Sequence, residues 1–180
     1  MNILIVEPFF SGSHAQWARE IQKFSRHNVS LCTMTGRNWK WRMHGGSVTL
    51  ARKFLESDHV PDLILATDML DLAGFMGLAR KKLGNIPVAI YFHENQLTYP
   101  WSPNDRDRRK NRDHHYGFIN IQSALAADRV LFNSHFHMQS FLGAIPGFLK
   151  AFPDYNEEGA VEIIRAKSSV LPLGMDLARF

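Results

Sequence analysis

The sequence predicts an α/β fold in which a parallel sheet carries helices on both faces. Short, mostly apolar runs of strand length alternate with longer runs in which apolar residues recur at helical spacing. The strand-length runs are apolar throughout rather than at every second residue, which is typical of parallel strands buried on both faces. The strict alternation of strands and helices favours right-handed crossovers between parallel neighbours.

The predicted elements follow one another in a regular order. Strands are expected at residues 2–6, 29–34, 62–67, 86–90, 128–133 and 169–172. Helices are expected over 47–57, 72–83 and 115–127. Another helix should run from Ser11 or Ser13 to about residue 24, and another from Ser134 to Pro146. A short last helix should begin at a capping box formed by Asp154 and Glu157 and end at about Ala166. The stretches 35–46 and 101–115 are predicted as long basic loops.

The spacing of apolar residues predicts the buried face of the first helix. Its apolar residues Trp17, Ala18, Ile21 and Phe24 fall at helical spacing, so we expect all four to face the sheet.

Composition indicates one soluble globular domain. At 180 residues, of which 45% are hydrophobic and 21% charged, the chain is long enough to bury a substantial core. The single cysteine, Cys32, excludes an internal disulfide and fits a reducing compartment. No apolar run approaches the roughly 20 residues of a membrane span. We therefore expect a cytoplasmic protein without a membrane span.

Positive charge is unevenly distributed along this basic chain, which has a net charge of +4. The three clusters are Arg37, Lys40, Arg42, Arg52 and Lys53; Arg80, Lys81 and Lys82; and Arg106, Arg108, Arg109, Lys110 and Arg112. Two clusters lie beside tryptophans, and exposed tryptophans next to cations suit base stacking combined with phosphate contacts. The same residues could instead form solvated surface or cover the edge of the sheet.

The most informative stretch is the end of the fourth predicted strand. The apolar run 86–90 leads through Tyr91 and Phe92 into His93, Glu94, Asn95 and Gln96, and Pro100 closes the segment. Ligands of open α/β sheets bind beyond the carboxyl ends of the strands. These four polar residues are therefore the strongest site candidates, and we expect the His93 ring to face the crevice. A capped loop with a structural histidine is the alternative.

A second candidate site follows the first strand. Ser11, Gly12, Ser13 and His14 form a small-residue turn before a predicted helix. Such a turn exposes backbone N–H groups at the positive end of the helix dipole, so it can bind anions or hydroxyl groups.

Several function classes are excluded by missing motifs. A dinucleotide-binding oxidoreductase needs Gly-x-Gly-x-x-Gly after its first strand, but here Gly12 stands alone. A phospho-acceptor domain could use Asp68 but lacks its other acids and its lysine. The nine histidines include no His-Glu-x-x-His, so no metal site is predicted. A nucleophilic serine would need Gly-x-Ser-x-Gly, which is absent.

Four segments, 1–7, 11–14, 127–134 and 170–180, resemble the N-terminal half of two-domain GT-B glycosyltransferases of the retaining family 4 kind. More narrowly, residues 11–16, 39–42, 91–100 and 132–134 resemble the tRNA-queuosine α-mannosyltransferase family. The string His-Glu-Asn-Gln-Leu-x-Tyr-Pro within 91–100 is the most specific of these matches.

The resemblance implies a Rossmann-like, acceptor-side domain that helps to transfer mannose from GDP-mannose to queuosine in the anticodon of aspartate tRNA. It needs no further cofactor and no metal. His93 and Glu94 would be catalytic. Ser11, Gly12, Ser13, His14, Asn95 and Gln96 would line the cleft for the donor phosphates and sugar. The residues expected to contact the acceptor RNA are Arg37, Trp39, Lys40, Trp41, Arg42, Arg106, Arg108, Arg109 and Arg112.

The expected domain covers residues 1–174, and 175–180 would begin the junction to a C-terminal domain that binds the nucleotide sugar. We therefore expect the 180-residue chain to be inactive alone. Two alternatives remain at this point: a GT-B domain acting on a lipid or small glycoside, and a non-enzymatic RNA-binding module. A lipid-handling relative should carry a basic amphipathic helix near the first loop, whereas residues 39–41 lack a helical pattern.

Overall fold

A computed structural model of the chain describes residues 1–100, 114–174 and 176. In this part of the chain the strands are β1 (Asn2–Phe10), β2 (Asn28–Thr35), β3 (Leu63–Thr67), β4 (Val88–Phe92), β5 (Arg129–Phe132) and β6 (Ser168–Val170). The helices are α1 (Gly12–Phe24), α2 (Trp39–Glu56), α3 (Leu72–Leu83), α4 (His114–Ala126), α5 (His135–Leu149) and α6 (Ala160–Ala166). This alternation confirms the predicted fold class.

The described strands form one parallel sheet in the order β2-β1-β3-β4-β5-β6. From β1 the chain moves outward to β2, then crosses back over β1 to β3 and continues in the opposite direction. The strand order therefore reverses between β1 and β3. Ligands of open α/β sheets bind at such a reversal, beyond the carboxyl ends of the strands.

The two faces of the sheet are covered unequally. The main core contains residues of β1, β3, β4 and β5 packed against α2, α3, α4, α5 and α6, with Phe75, Phe92 and Phe141 fully buried. On the opposite face α1 places Trp17 and Ala18 against Ile5, in a smaller cluster. The connection from β1 to β2 and the connection from β2 to β3 run across the sheet in opposite directions. Because both connections are right-handed crossovers, α1 and α2 lie on opposite faces of the sheet.

Helix α2 is the largest departure from the prediction. It begins at Trp39 rather than near residue 47, after Asn38 in a left-handed conformation with φ of 53°. The buried positions Met43, Ser47, Leu50 and Phe54 recur at helical spacing. Two tryptophans and a glycine pair in its first turns conceal that spacing in the sequence. Residues 39–46 are thus helical, and the expectation of a loop was wrong for this part of 35–46.

Smaller corrections concern helix ends. Phe24, expected to be buried, is 59% exposed because α1 ends there, beyond the part packed against the sheet. Helix α5 continues through Pro146 to Leu149, which is buried in the core. The capping box expected before α6 does not form, because the helix begins later, after Gly159.

In the described residues no helix is both long and apolar enough to cross a lipid bilayer.

Candidate active site

Four ionisable side chains lie together near the carboxyl ends of β1, β3 and β4, where the strand order reverses. They are Glu7 of β1, His14 of α1, Asp68 after β3 and His93 after β4. Glu7 and Asp68 are almost completely buried, at 0% and 1% exposure. Buried carboxylates are costly unless charged or hydrogen-bonding groups compensate them.

Glu7 is compensated by the first turn of α1. One carboxylate oxygen of Glu7 lies 2.9 Å from Nδ1 of His14, and the other accepts a hydrogen bond of 2.6 Å from the backbone N–H of Phe9. The geometry requires His14 to donate from Nδ1 to the carboxylate. This pair fixes the start of α1 against the end of β1.

His14 is held as a cation. Burial by itself lowers the pKa of His14, but the hydrogen bond to Glu7 and the negative charges of Asp68, Glu7 and Glu94 raise that pKa from 6.5 to about 9. The imidazole is therefore protonated at neutral pH, inside a crevice that otherwise holds three carboxylates.

Asp68 orients the segment that begins at His93. Its carboxylate accepts a 2.8 Å hydrogen bond from the backbone N–H of His93 and lies 3.4 Å from Nδ1 of the same residue. Burial alone raises the pKa of Asp68, but the nearby His93 and His14 outweigh burial and lower it. Asp68 is thus a buried anion shared by two histidines.

The His93 ring is more enclosed than the sequence predicts. Its side chain is 8% exposed, and the ring packs against His14, Trp17 and Tyr91 with centroid separations of 4.3, 4.5 and 4.9 Å. Neither ring nitrogen makes an aligned hydrogen bond to any described residue. The ring that was expected to face the crevice therefore packs against its aromatic neighbours, and His93 is not among the residues that line the crevice cavity.

The residues after His93 differ in what they can offer a ligand. Glu94 and Gln96 line the crevice, and the side-chain amide of Gln96 donates to Glu94 over 3.3 Å. Burial, followed by the charge of Asp68, raises the pKa of Glu94. The side chain of Asn95 instead accepts from the backbone N–H groups of Leu97 and Thr98, both at 3.0 Å. Asn95 therefore shapes the turn of this loop.

A buried asparagine of α4 anchors the same loop from beneath. Oδ1 of Asn120 accepts from the backbone N–H of Gln96 at 2.7 Å, and Nδ2 donates to the carbonyl of Asp68 at 2.9 Å. Asn120 is fully buried. It joins the ends of β3 and β4, so the crevice is held from both the sheet and α4.

The first turn of α1 forms the opposite wall of the crevice. Ser11, Gly12 and Ser13 are exposed and line a cavity of about 350 Å³ with His14, Glu94 and Gln96. Gly12 has φ of +49°, a conformation in which side chains are strained, and a Cβ at this position would meet no atom within 4 Å. A ligand can therefore approach the backbone here. Ser11 occupies the N-cap position without a side-chain capping bond.

The predicted RNA-contacting residues differ in where they lie. Trp39 lines the crevice, whereas Trp41 is 63% exposed, its indole packed closely over Gly45. Arg37 is exposed, and Lys40 lies over the Trp39 ring. Arg42 donates to the carbonyl of Thr35 at 3.0 Å, which secures the end of β2. Arg106, Arg108, Arg109 and Arg112 lie outside the described residues.

The site also brings together groups that could ligate a metal ion, which no sequence motif indicated. Ligand atoms of Glu7, His14 and His93 all lie within 4.8 Å of one another. Because His14 is protonated with its pKa raised to about 9, a metal ion would have to displace that proton. The expectation of no metal site stays a prediction.

Glu7, Asp68 and Asn120 belong to the site but were not predicted from the sequence. Glu7 and Asp68 are lone acids at the ends of apolar strands, and this is the signal that could have identified them. An acid in such a position needs a partner, but that partner cannot be read from local spacing.

The Glu7–His14 pair predicts a pH dependence of stability. Because the pKa of His14 rises from 6.5 in the unfolded chain to about 9 on folding, its stabilisation is complete below pH 6.5 and is lost as the pH rises to about 9. The free energy of unfolding should fall by roughly 2–3 kcal/mol over that interval. Glu7→Gln should flatten this decline, as measured by urea unfolding at a series of pH values.

The exposed His59 supplies a matched control, because His59→Gln should leave the decline intact. If the free energy of unfolding declined with pH as steeply in Glu7→Gln as in the unaltered chain, the assignment of the decline to the Glu7–His14 pair would be contradicted.

Two comparisons relate the chain to known proteins. Residues 2–175 match the family model described as tRNA-queuosine alpha-mannosyltransferase N-terminal. The chain is also 37% identical over 180 residues to a tRNA-queuosine alpha-mannosyltransferase of Drosophila melanogaster, a match that covers 99% of this chain and 46% of that relative. The chain thus spans about half the length of the curated relative. It belongs to the tRNA-queuosine alpha-mannosyltransferase N-terminal family.

Proposed function

We propose that this chain is the acceptor-side domain of a retaining GT-B glycosyltransferase that transfers mannose from GDP-mannose to queuosine in the anticodon of aspartate tRNA. A second domain would hold most of the nucleotide sugar, and this chain alone would not catalyse transfer. Family membership supports the reaction class. The observation that carries the proposal is the protonated His14, buried beside the open backbone of Gly12 at the reversal of strand order.

Glycosyl transfer needs stabilisation of the negative charge that develops on the departing diphosphate. The protonated His14 and the N–H groups at the start of α1 supply fixed positive charge on one wall of the crevice. Glu7 holds the His14 ring at 2.9 Å, so the charge is in place before the substrate arrives. A preorganised cation of this kind acts without reorganising during the reaction.

The opposite wall suits the hydroxyl groups of a sugar or a cyclopentenediol. Glu94 and Gln96 offer a carboxylate and an amide within the same cavity, which Trp39 and Tyr99 also line. Carboxylates and amides accept and donate hydrogen bonds to hydroxyl groups, while the aromatic rings exclude water. In this proposal Glu94 contacts the reacting hydroxyl groups, and Asp68 and Asn120 position the loop that carries it.

His93 has a more limited role in this proposal than the resemblance alone implies. Its ring supports His14 from below at a centroid separation of 4.3 Å, and its backbone N–H is fixed by Asp68. Contact with the transferred sugar would require the ring to become accessible when substrates and the second domain assemble.

Binding of the acceptor tests the proposal with the chain as it exists. The 180-residue chain should bind queuosine-bearing aspartate tRNA roughly 3- to 10-fold more tightly than the same tRNA with guanosine at that position, because the diol adds one or two hydrogen bonds. Fluorescence anisotropy with both tRNAs measures the ratio. Equal affinity for the two tRNAs would remove the queuosine assignment.

A second candidate function, transfer to a lipid-linked acceptor, is favoured by one observation. Residues 39–56 form a helix, so the absence of a basic helix near the first loop no longer argues against lipid. That helix exposes Trp41, Val48 and Leu55 beside Arg52. Co-sedimentation with anionic phospholipid vesicles, in the absence of tRNA binding, would favour this second function.

The tRNA proposal also predicts which cations carry RNA affinity. Arg37 and Lys40 lie near the crevice, so Arg37→Gln combined with Lys40→Gln should reduce the slope of log K against log salt by roughly 1 to 2 units. Arg80 and Lys81 are exposed at the C-terminal end of α3, opposite the crevice, and provide the control pair. The control variant should keep the original slope. Equal losses in both double variants would show that RNA binds without preference for this face.

A further inference from the structure

A second cavity lies beside the crevice, on the other side of the loop that follows His93. It measures about 310 Å³ and opens between that loop and the first turn of α5. Glu94 and Tyr99 line both cavities, so they form the ridge between them. A ligand that extends out of the crevice over this ridge enters the second cavity.

Two exposed aromatic rings distinguish this cavity from ordinary surface. Phe136, in the first turn of α5, is 80% exposed, and Tyr99 is 50% exposed. No other ring of the described residues contacts either of them. The remaining lining includes the hydroxyl groups of Thr98, Ser134 and Ser140. Aromatic faces combined with small polar groups are typical of sites that stack and hydrogen-bond a nucleobase.

The charges of the cavity fit a base rather than a phosphate. Its described lining contains no lysine or arginine, and it does contain the carboxylate of Glu94. No lysine or arginine of the described lining is placed to pair with a phosphate, whereas an uncharged ring needs no such partner. Hydrogen bonds of 3.1–3.2 Å join Asn133, Ser134 and His137 to one another, whereas Nε2 of His137 has no partner among the described residues.

We propose that this cavity is a nucleobase subsite that receives the unpaired base next to the target nucleoside of the RNA acceptor. The inference rests on the proposed function, because it takes the crevice as the place of the target nucleoside. Recognition of the RNA would then include the neighbouring nucleotide, whose base stacks on Phe136. A polynucleotide can occupy both cavities at once, whereas a small glycoside would leave the second one empty.

The test uses the 180-residue chain and a stem–loop RNA whose loop carries the target nucleoside. Phe136→Ala should weaken binding roughly 5- to 100-fold, which is the range for losing one stacked base. The slope of log K against log salt should not change, because no phosphate contact is removed. Phe136→Tyr should bind like the unaltered chain. Since Phe136 is mostly exposed, thermal unfolding should be unaffected in both variants.

A double-mutant cycle identifies the occupant. An RNA with an abasic residue beside the target nucleoside should bind the unaltered chain weakly, and Phe136→Ala should cause little further loss with that RNA. Tyr155, 91% exposed and outside the cavity, provides the control, since Tyr155→Ala should leave the affinity for both RNAs unchanged.

Two results overturn the subsite. If Phe136→Ala binds the intact RNA as tightly as the unaltered chain, or if its effect simply adds to that of the abasic residue, the cavity does not hold that base. The proposed acceptor function would survive either result. Absence of RNA binding by the unaltered chain would overturn the acceptor function and the subsite together.

Discussion

The structure of the crevice depends on one buried charge pair. Glu7 belongs to the central strand β1 and is inaccessible to solvent, so its carboxylate would be strongly unfavourable without a partner. The partner, His14, stands at the start of α1, and their 2.9 Å contact fixes where that helix begins. The exposed turn of Ser11, Gly12 and Ser13 is thereby held beside an imidazole that is protonated at neutral pH.

A second carboxylate extends this arrangement across the reversal of strand order. Asp68 binds the backbone of His93 and contributes to the raised pKa of His14. The centroids of the two imidazoles are 4.3 Å apart with their planes tilted by 33°, so the ends of β1, β3 and β4 are coupled through a few buried groups. Asn120 closes the network from α4. The polar groups left facing the cavity, chiefly Glu94 and Gln96, are the ones available to a ligand.

Local sequence patterns predicted much of the fold because the strands and α3 are specified by local signals. Apolar runs of strand length and the helix at residues 72–83 need no tertiary information. The start of α2 was missed because its apolar face includes tryptophans and its turns include Gly45 and Gly46, which weaken the helical pattern. The position of Phe24 was missed because the end of a helix packs differently from its middle.

The site was predicted only in part for a different reason. Residues 91–100 and 11–14 stand out because polar groups follow apolar strands, and the structure brings these two segments together. The partners of their histidines could not be predicted, because Glu7 and His14 are 7 residues apart and Asp68 and His93 are 25 apart. Such pairs depend on which strands become neighbours, and no local spacing encodes that order.

The central claim is that His14 is a buried imidazolium held by Glu7. An NMR titration of the histidine ring signals, with His14 assigned through His14→Gln, tests this most directly. The His14 ring should remain protonated at pH 7 and titrate near pH 9. Titration of the His14 ring at or below pH 6.5 would contradict the account, because the crevice would then contain a neutral histidine without fixed positive charge.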